Sequence, residues 1–347
     1  MRFHGKHARR RILSVALCAA FVTAVAACGS GGGSSSASSA SAGSSGGAGA
    51  SSSAASGGAA TNLTVAYAAT GAGFSDLYVG VADGIFQKYG LNVKLVQVTP
   101  ANLIPSLLSG SAQIGGGVAD GAAAAILKGE KLEYVALSEG TYNLQLWANK
   151  GVSSVHDLVG KTVALTTQGS ETDFALTAML QSYGISPDKV NRKYLVTAPQ
   201  MLSAMHSGAV DAGLFQPPQA QTLSETGGKV VDSLSNLPYA VGAYTTTSSY
   251  ATANPGVIAK FIAAEKANLA YLRSNPSQTM AAIQQFNSTS NAAGNKIAYS
   301  FFLHVWKPDP TATPALIKAA FTRAAQNANA TAPSDISQYI FSAPAAA

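Results

Sequence analysis

The residues best suited to hold a ligand lie in short loops, each just after an apolar, strand-like run. "ATGAGFSD" offers Thr70, Gly71 and Phe74, and "GGGVAD" offers Gly117, Val118 and Asp120. "TTQGSETD" offers Gln168, Gly169, Ser170 and Glu171, and "LFQPP" offers Phe215 and Gln216. Glu139, Thr141 and Tyr142 lie further along, near a change of direction in the chain. Open α/β sheets bind ligands beyond the carboxyl ends of their strands, so these loops are expected to meet around one site. In "QGSE", Ser170 is expected to cap a helix whose first backbone N–H groups attract a polar or anionic group, and Gly169 lets a ligand approach the backbone. Phe74 would lie against the ligand or serve as a contact between surfaces, with Ser75 or Asp76 capping the next helix. The glycines before Val118 permit close approach. Asp120 either caps its own helix or binds a ligand amine. Phe215 and Gln216 form an opposite wall, or else Phe215 enters the core beside a proline-fixed turn.

This chemistry is binding rather than catalysis. No Ser–His–Asp arrangement is visible, and His156, His206 and His304 have no metal-ligand partner at helical spacing. No metal or cofactor is expected. None of the strand-end loops contains lysine or arginine. A divalent anion would be expected to recruit one, because charge-assisted hydrogen bonds are the strong ones. The set favours a neutral, zwitterionic or aromatic ligand held by amides, hydroxyls, Asp120, Glu171 or Glu139.

Alternating strands and helices must position these loops. "NLTVAYA" is a short strand, and Tyr78, Val81, Ala82, Ile85 and Tyr89 form one helical stripe stopped by Gly90. "LNVKLVQV" and "AQIGGG" are strands. Helices are expected over residues 102–109 and 118–128, followed by strands in "LEYVALSE" and "LQLWAN". A second unit opens near Val152, with strands at Thr162–Leu165, "RKYLVT", "AVDAGLF" and "GKVVDS". Its helices are expected at Glu171–Tyr183 and Pro199–Ser207, with a short one at Pro217–Ser224. "AVGAYTTT" leads back, and the remainder is helical from Pro255 onward. Such alternation implies α/β architecture with mainly parallel sheet and helical crossovers.

The amino-terminal segment has a different character. Basic residues from Arg2 to Arg11 precede an apolar run of residues 12–27, shorter than the roughly 20 residues that span a bilayer. Small residues then lead to Cys28, so residues 1–27 read as a secretory signal peptide. "VAAC" resembles the bacterial lipobox, which makes Cys28 the lipidated first mature residue. "ARRRIL" faintly resembles a twin-arginine export signal. Residues 28–60 are nearly all Gly, Ser and Ala, a flexible tether with a reach of about 30 Å. The charge of +6 is concentrated ahead of Cys28, and 17 basic residues face 16 acidic ones from there on. A net +1 lacks the basic footprint of a nucleic-acid binder. The two cysteines are Cys18 in the signal and Cys28, so no disulfide is expected in the mature fold.

Four stretches in order resemble solute-binding proteins of the nitrate, sulfonate, taurine and bicarbonate type, which include binders of thiamine-pyrimidine precursors. They are "GVADGIFQKYGLNVKLVQV", "LLSGSAQIGGGVADGAAAAILKGEKLEYVAL", "VSSVHDLVGKTVALTTQGSETDFALTAMLQSYGISPDKV" and "MLSAMHSGAVDAGLFQPP". Gln113 departs from the pattern, because many relatives carry an acidic residue there. The resemblance implies a periplasmic-binding-protein-like (type II) fold of two α/β lobes joined by two crossover strands. Lobe 1 would be residues 61–147 plus 246–347, and lobe 2 residues 148–245. It implies a non-enzymatic, monomeric, extracytoplasmic component of an ABC importer. That component would close over a small polar or organic solute, pass it to membrane permease subunits, and be anchored by lipid such as palmitate on Cys28. The alternatives are a ligand-sensing surface lipoprotein, a structural lipoprotein with an inert cleft, and an enzyme like the thiamine-pyrimidine synthases. The enzyme fits poorly, because its cysteine-rich iron site is missing.

Overall fold

The computed structural model describes residues 60–68, 71–287 and 292–342. The expected signal peptide, nearly all of the expected tether, Cys28 and Thr70 lie outside the described residues.

The first sheet contains β1 (Thr61–Tyr67), β2 (Leu91–Gln97), β3 (Ile114–Gly117), β4 (Leu132–Thr141) and β10 (Pro238–Thr247), in the order β2-β1-β3-β10-β4. β1 runs parallel to β2 and β3, whereas β10 is antiparallel to both of its neighbours. The second sheet contains β5 (Gln145–Ala148), β6 (Thr162–Leu165), β7 (Asn191–Tyr194), β8 (Ala212–Phe215) and β9 (Lys229–Ser233), in the order β7-β6-β8-β5-β9. Here β6 is parallel to β7 and β8, and β5 is antiparallel to β8 and β9. The fold is thus mixed α/β, each sheet having a parallel centre and antiparallel strands where the chain crosses between sheets. It leaves the first sheet between Thr141 and Gln145 and returns between Ser233 and Pro238. The expected lobe limits, 147/148 and 245/246, fall inside β5 and β10.

Strand alternation divides each sheet's side chains between two cores. Along β1, Leu63, Val65 and Tyr67 enter one apolar cluster, and Ala66 and Ala68 enter the other. Along β6, Val163 and Leu165 face one cluster and Ala164 the opposite one. The first sheet is flanked by α1 (Ser75–Ala82), α2 (Ile85–Lys88), α3 (Pro100–Leu108) and α4 (Ala119–Leu127). The second carries α5 (Glu171–Ser182) and α6 (Ala198–His206). After β10 come α7 (Ser248–Ala253), α8 (Pro255–Ser274), α9 (Pro276–Asn287), α10 (Ala292–Val305) and α11 (Pro314–Ala328). α8 to α10 pack over the first core, and α11 lies against α4 in the second.

Two expected elements differ. The stripe from Tyr78 to Tyr89 is two helices, because Gly84 adopts φ 66° and breaks the hydrogen-bond ladder after Asp83. The short helix expected at Pro217–Ser224 is instead a 3₁₀ segment at Gln221–Thr226, following a cis Pro217–Pro218 bond. Prolines there remove donors that an α-helix would need. Gln113 accounts for its own departure from the family pattern: its Oε1 accepts from Thr64 N at 2.9 Å and its Nε2 donates to Gly110 O at 3.1 Å.

Candidate functional site

Loops at the strand ends of the two sheets touch. The backbone of Gly71 lies directly against Gln216, so that a Cβ on Gly71 would collide with the Gln216 amide oxygen. Gly71 has φ 145°, a region that L side chains rarely adopt. Asn327 of α11 packs on Gly169, and its Nδ2 donates to Gly169 O at 3.4 Å. A Cβ on Gly169, whose φ is 70°, would come within 2.9 Å of that amide. Val118, at the start of α4, packs against the core of the second sheet. Gly71 of "GAGFSD" thus meets Gln216 of "LFQPP", and Asp120 of "GGGVAD" is near enough to Glu171 of "TTQGSETD" to act on it electrostatically.

A polar and aromatic cluster joins Asp120, Arg323, Tyr239, Tyr142 and Phe174. Asp120 accepts two hydrogen bonds from Arg323, Nε to Oδ1 at 2.7 Å and Nη2 to Oδ2 at 3.0 Å. The guanidinium rests 4.3 Å from the ring centroid of Tyr239 and 5.8 Å from that of Phe174 in α5. Tyr239 stacks on Tyr142 at 4.1 Å, with 17° between ring planes. Burial pulls the Arg323 pKa down, but the bonds and charge of Asp120 outweigh it and raise it overall. Burial pushes Tyr142 and Tyr239 upward, so both stay protonated at neutral pH.

Glu171 borders this cluster. It keeps partial exposure as a residue, whereas its Oε1 is sealed from solvent and has no hydrogen-bond partner. Burial first, and then the charge of Asp120, push its carboxyl up to about 7. The Tyr239 hydroxyl is likewise sealed and unpartnered, on a residue only 1% exposed. Buried polar groups are normally satisfied, and an orphan costs about 1–3 kcal/mol. Glu139, at the end of β4, is buried too; its pKa is pushed well up by burial, against a bond from Asn143 Nδ2 at 2.8 Å.

Several expected residues lie elsewhere. Phe74 is in the core against Tyr67, and Gly117 makes room for Leu103 rather than for a ligand. Phe215 is buried with its ring over Gly213; β8 is buried on both faces, and alternation sends Leu214 into one core and Phe215 into the other. Gln168 is exposed. Ser170 occupies the N-cap position of α5 without capping it; its hydroxyl pairs with Thr166 at 2.9 Å and Thr172 at 3.0 Å. Asp173 instead ties down the loop before α5, accepting from Gly169 N at 2.8 Å. Asp120 does not cap α4 either, being held by Arg323. Ser75 Oγ donates to Ala72 O, and Asp76 is buried beneath Tyr244.

Arg323, Tyr239, Phe174 and Asn327 are absent from the strand-end set. Arg323 and Asn327 share one face of α11, four residues apart, but nothing local to α11 marks that face as lining a cleft.

The architecture is that of the periplasmic binding proteins. The chain belongs to the NMT1/THI5-like family, whose model matches residues 72–279, more than half of the sequence. Among solved structures, the periplasmic aliphatic sulphonate binding protein SsuA from Escherichia coli superposes with a TM-score of 0.66 at 21% identity, covering 81% of this chain and 97% of that one. The alkanesulfonate-binding protein SsuA from Xanthomonas axonopodis pv. citri, bound to MOPS, gives 0.61 at 19% identity, with 78% and 93% covered. A ligand-binding component of an ABC-type import system from Staphylococcus aureus gives 0.66 at 13% identity, covering 81% and 96%. No curated protein matches the sequence.

Proposed function

We propose that this chain is the extracytoplasmic solute-binding component of an ABC importer. It captures a small polar or organic solute, sulfonate-, taurine- or pyrimidine-like, in the cleft between its sheets, and it is not an enzyme. Gly71, Val118, Asp120, Tyr142, Gly169, Glu171 and Gln216 line or close the cleft, and the segments Thr141–Gln145 and Ser233–Pro238 serve as hinges. Lipid on Cys28 anchors the chain outside the cytoplasmic membrane, where its partners are the permease subunits.

The observation that carries this reading is the pair of sealed, unpartnered polar atoms, Glu171 Oε1 and the Tyr239 hydroxyl, at an interface built from loops of both sheets. A captured molecule would satisfy them. Family membership and the sulfonate-binding and import roles of the structural neighbours support the same reading.

Mass spectrometry of small molecules carried through native purification tests it, together with small-angle scattering before and after their removal. One solute per chain, and a more compact particle when it is bound, are expected. A chain that carries no solute and keeps one scattering curve throughout would overturn the capture role. Anchoring is tested separately: Cys28→Ala should move the protein from the membrane fraction to the medium or periplasm, with loss of palmitate labelling.

A further inference from the structure

Two carboxyl groups meet inside the first sheet's core with no base beside them. Asp76 of α1 and Glu265 of α8 are both 0% exposed, and their carboxyls lie within hydrogen-bond reach of each other. Asp76 is well supplied with donors. Leu77 N reaches its Oδ1 at 2.9 Å and the Tyr244 hydroxyl its Oδ2 at 2.5 Å, with the Ser138 hydroxyl also in reach. Glu265 receives one bond, from Asn268 Nδ2 to its Oε1 at 3.2 Å, and its Oε2 is sealed with no donor. The other titratable groups in electrostatic reach are Tyr244 of β10, Glu139 of β4 and Tyr78 of α1. Among the described residues, no lysine, arginine or histidine acts on either carboxyl. Two touching carboxylates that have lost their hydration cannot both stay charged. As two bare acceptors they make no bond, whereas a proton on one turns the contact into a strong charge-assisted hydrogen bond. The donors show which one holds it: Asp76 has those that favour the ionised form, and Glu265 lacks them.

We infer that Glu265 is protonated at neutral pH and donates to an ionised Asp76, and that this shared proton makes the two the positioning residues of the strand-end loop Gly71–Phe74. Asp76 stands two residues past that loop, in the first turn of α1. Its bond to Tyr244 fixes α1 on β10, and the Tyr244 ring packs with Phe74 on Gly116 of β3. Its bond to Glu265 fixes α1 on α8, at a close approach where a Cβ on Gly80 would collide with Asn268. With the start of α1 held from both sides, Gly71 is set against Gln216 and Gly73 against Glu139. The positioning role rests on the cleft being the capture site; the place of the proton does not. Burial raises both carboxyls, in keeping with one of them staying protonated. As pH rises, loss of the Glu265 proton leaves two facing charges that push α1 and α8 apart. The loop is therefore held in acid and at neutrality and loosened in base.

Infrared spectroscopy of the full chain at neutral pH locates the proton. The carbonyl stretch of a protonated carboxyl stands apart from carboxylate bands, and one such band should be present in the parent and missing from Glu265→Gln. The Gln amide still offers Asp76 a donor, so this variant should melt close to the parent and well above Glu265→Ala. Hydrogen exchange reads the loop. From neutral to about pH 10, protection of residues 71–74 relative to the rest of the chain should fall about tenfold or more in the parent and stay level in Glu265→Gln. The parent alone supplies a second measure: one of its protonated-carboxyl bands should vanish over the same pH range as that protection. No band lost in Glu265→Gln, a Glu265→Gln no more stable than Glu265→Ala, or a parent loop whose protection does not change with pH overturns the inference. The capture role stands in each of those cases. A chain that carries no solute and never compacts removes the capture role and leaves the proton in place.

Discussion

Arg323 grips Asp120 across 203 residues of sequence, with Nε and Nη2 each donating to a different carboxylate oxygen at 2.7 and 3.0 Å. Both side chains are about one-sixth exposed, 16% and 15%. In this geometry the pair is costly to break. Removal of the cation leaves a mostly buried carboxylate uncompensated and strips a cover from Tyr239.

Arg323→Met is therefore expected to destabilise the fold by about 2–4 kcal/mol, at or just below the range for breaking a buried pair. The combined change with Asp120→Asn should recover part of this loss, because no bare charge remains. Urea unfolding of the three proteins checks it, and equal stability of Arg323→Met and the parent chain would refute it.

Glu171 should make stability fall with rising pH. Its folded carboxyl titrates near 7, against an ordinary value of 4.5. Between those values the unfolded chain has lost a proton that the folded chain keeps. Stability from this group is thus complete below about pH 4.5, declines through the window, and is lost above about pH 7, a total of about 3 kcal/mol. Glu171→Gln should flatten that part of the profile in denaturant titrations from pH 4.5 to 8. An unchanged slope would count against the buried carboxyl.

A second acidic centre lies inside the first sheet's core. Tyr244 donates to Asp76 Oδ2 at 2.5 Å, and Asp76 and Glu265 share a fully buried site. Burial raises both carboxyls, Glu265 well above its usual range, with the charge of Asp76 adding to it. Their stabilisation, too, is greatest in acid and declines as pH rises through the raised values. Tyr244→Phe removes the buried bond to Asp76 and should cost about 1–3 kcal/mol. The loss should shrink as pH falls through the raised value of Asp76. Thermal melts across a pH series measure the difference, and a gain in stability at any pH would refute it.

Gly71→Ala should lower stability by about 1–3 kcal/mol for its backbone alone, because a φ of 145° suits only glycine. The collision with Gln216 adds to this. Pairing it with Gln216→Ala should restore only the steric share. Complete recovery in the double variant, read from melting temperatures, would show that the backbone carries no strain.

Much of this molecule was legible residue by residue. The alternation of strands and helices, the loop positions and the long α8 between Pro255 and the proline at 276 follow from local periodicity and from caps. Glu171, Asp120 and Tyr142 could be named as cleft candidates because they follow strand ends. Phe74 and Phe215 share that position yet turn into the core. Phe74 lies in a 3₁₀ turn, Ala72–Phe74, that is buried throughout, and β8 is buried on both faces, so the apolar interior takes both rings.

The amino-acid order alone set the α/β class, the basic then apolar leading segment and the near-neutral charge of the remainder, because each depends on composition or short-range spacing. The tertiary structure decided which groups are spoken for. Whether a carboxylate is free or paired depends on what the chain brings to it from far away, and α11 brings Arg323 to Asp120 while leaving Glu171 without a partner. No periodicity encodes that choice, since it arises only when two sheets and a distant helix are packed around the same few ångströms of space.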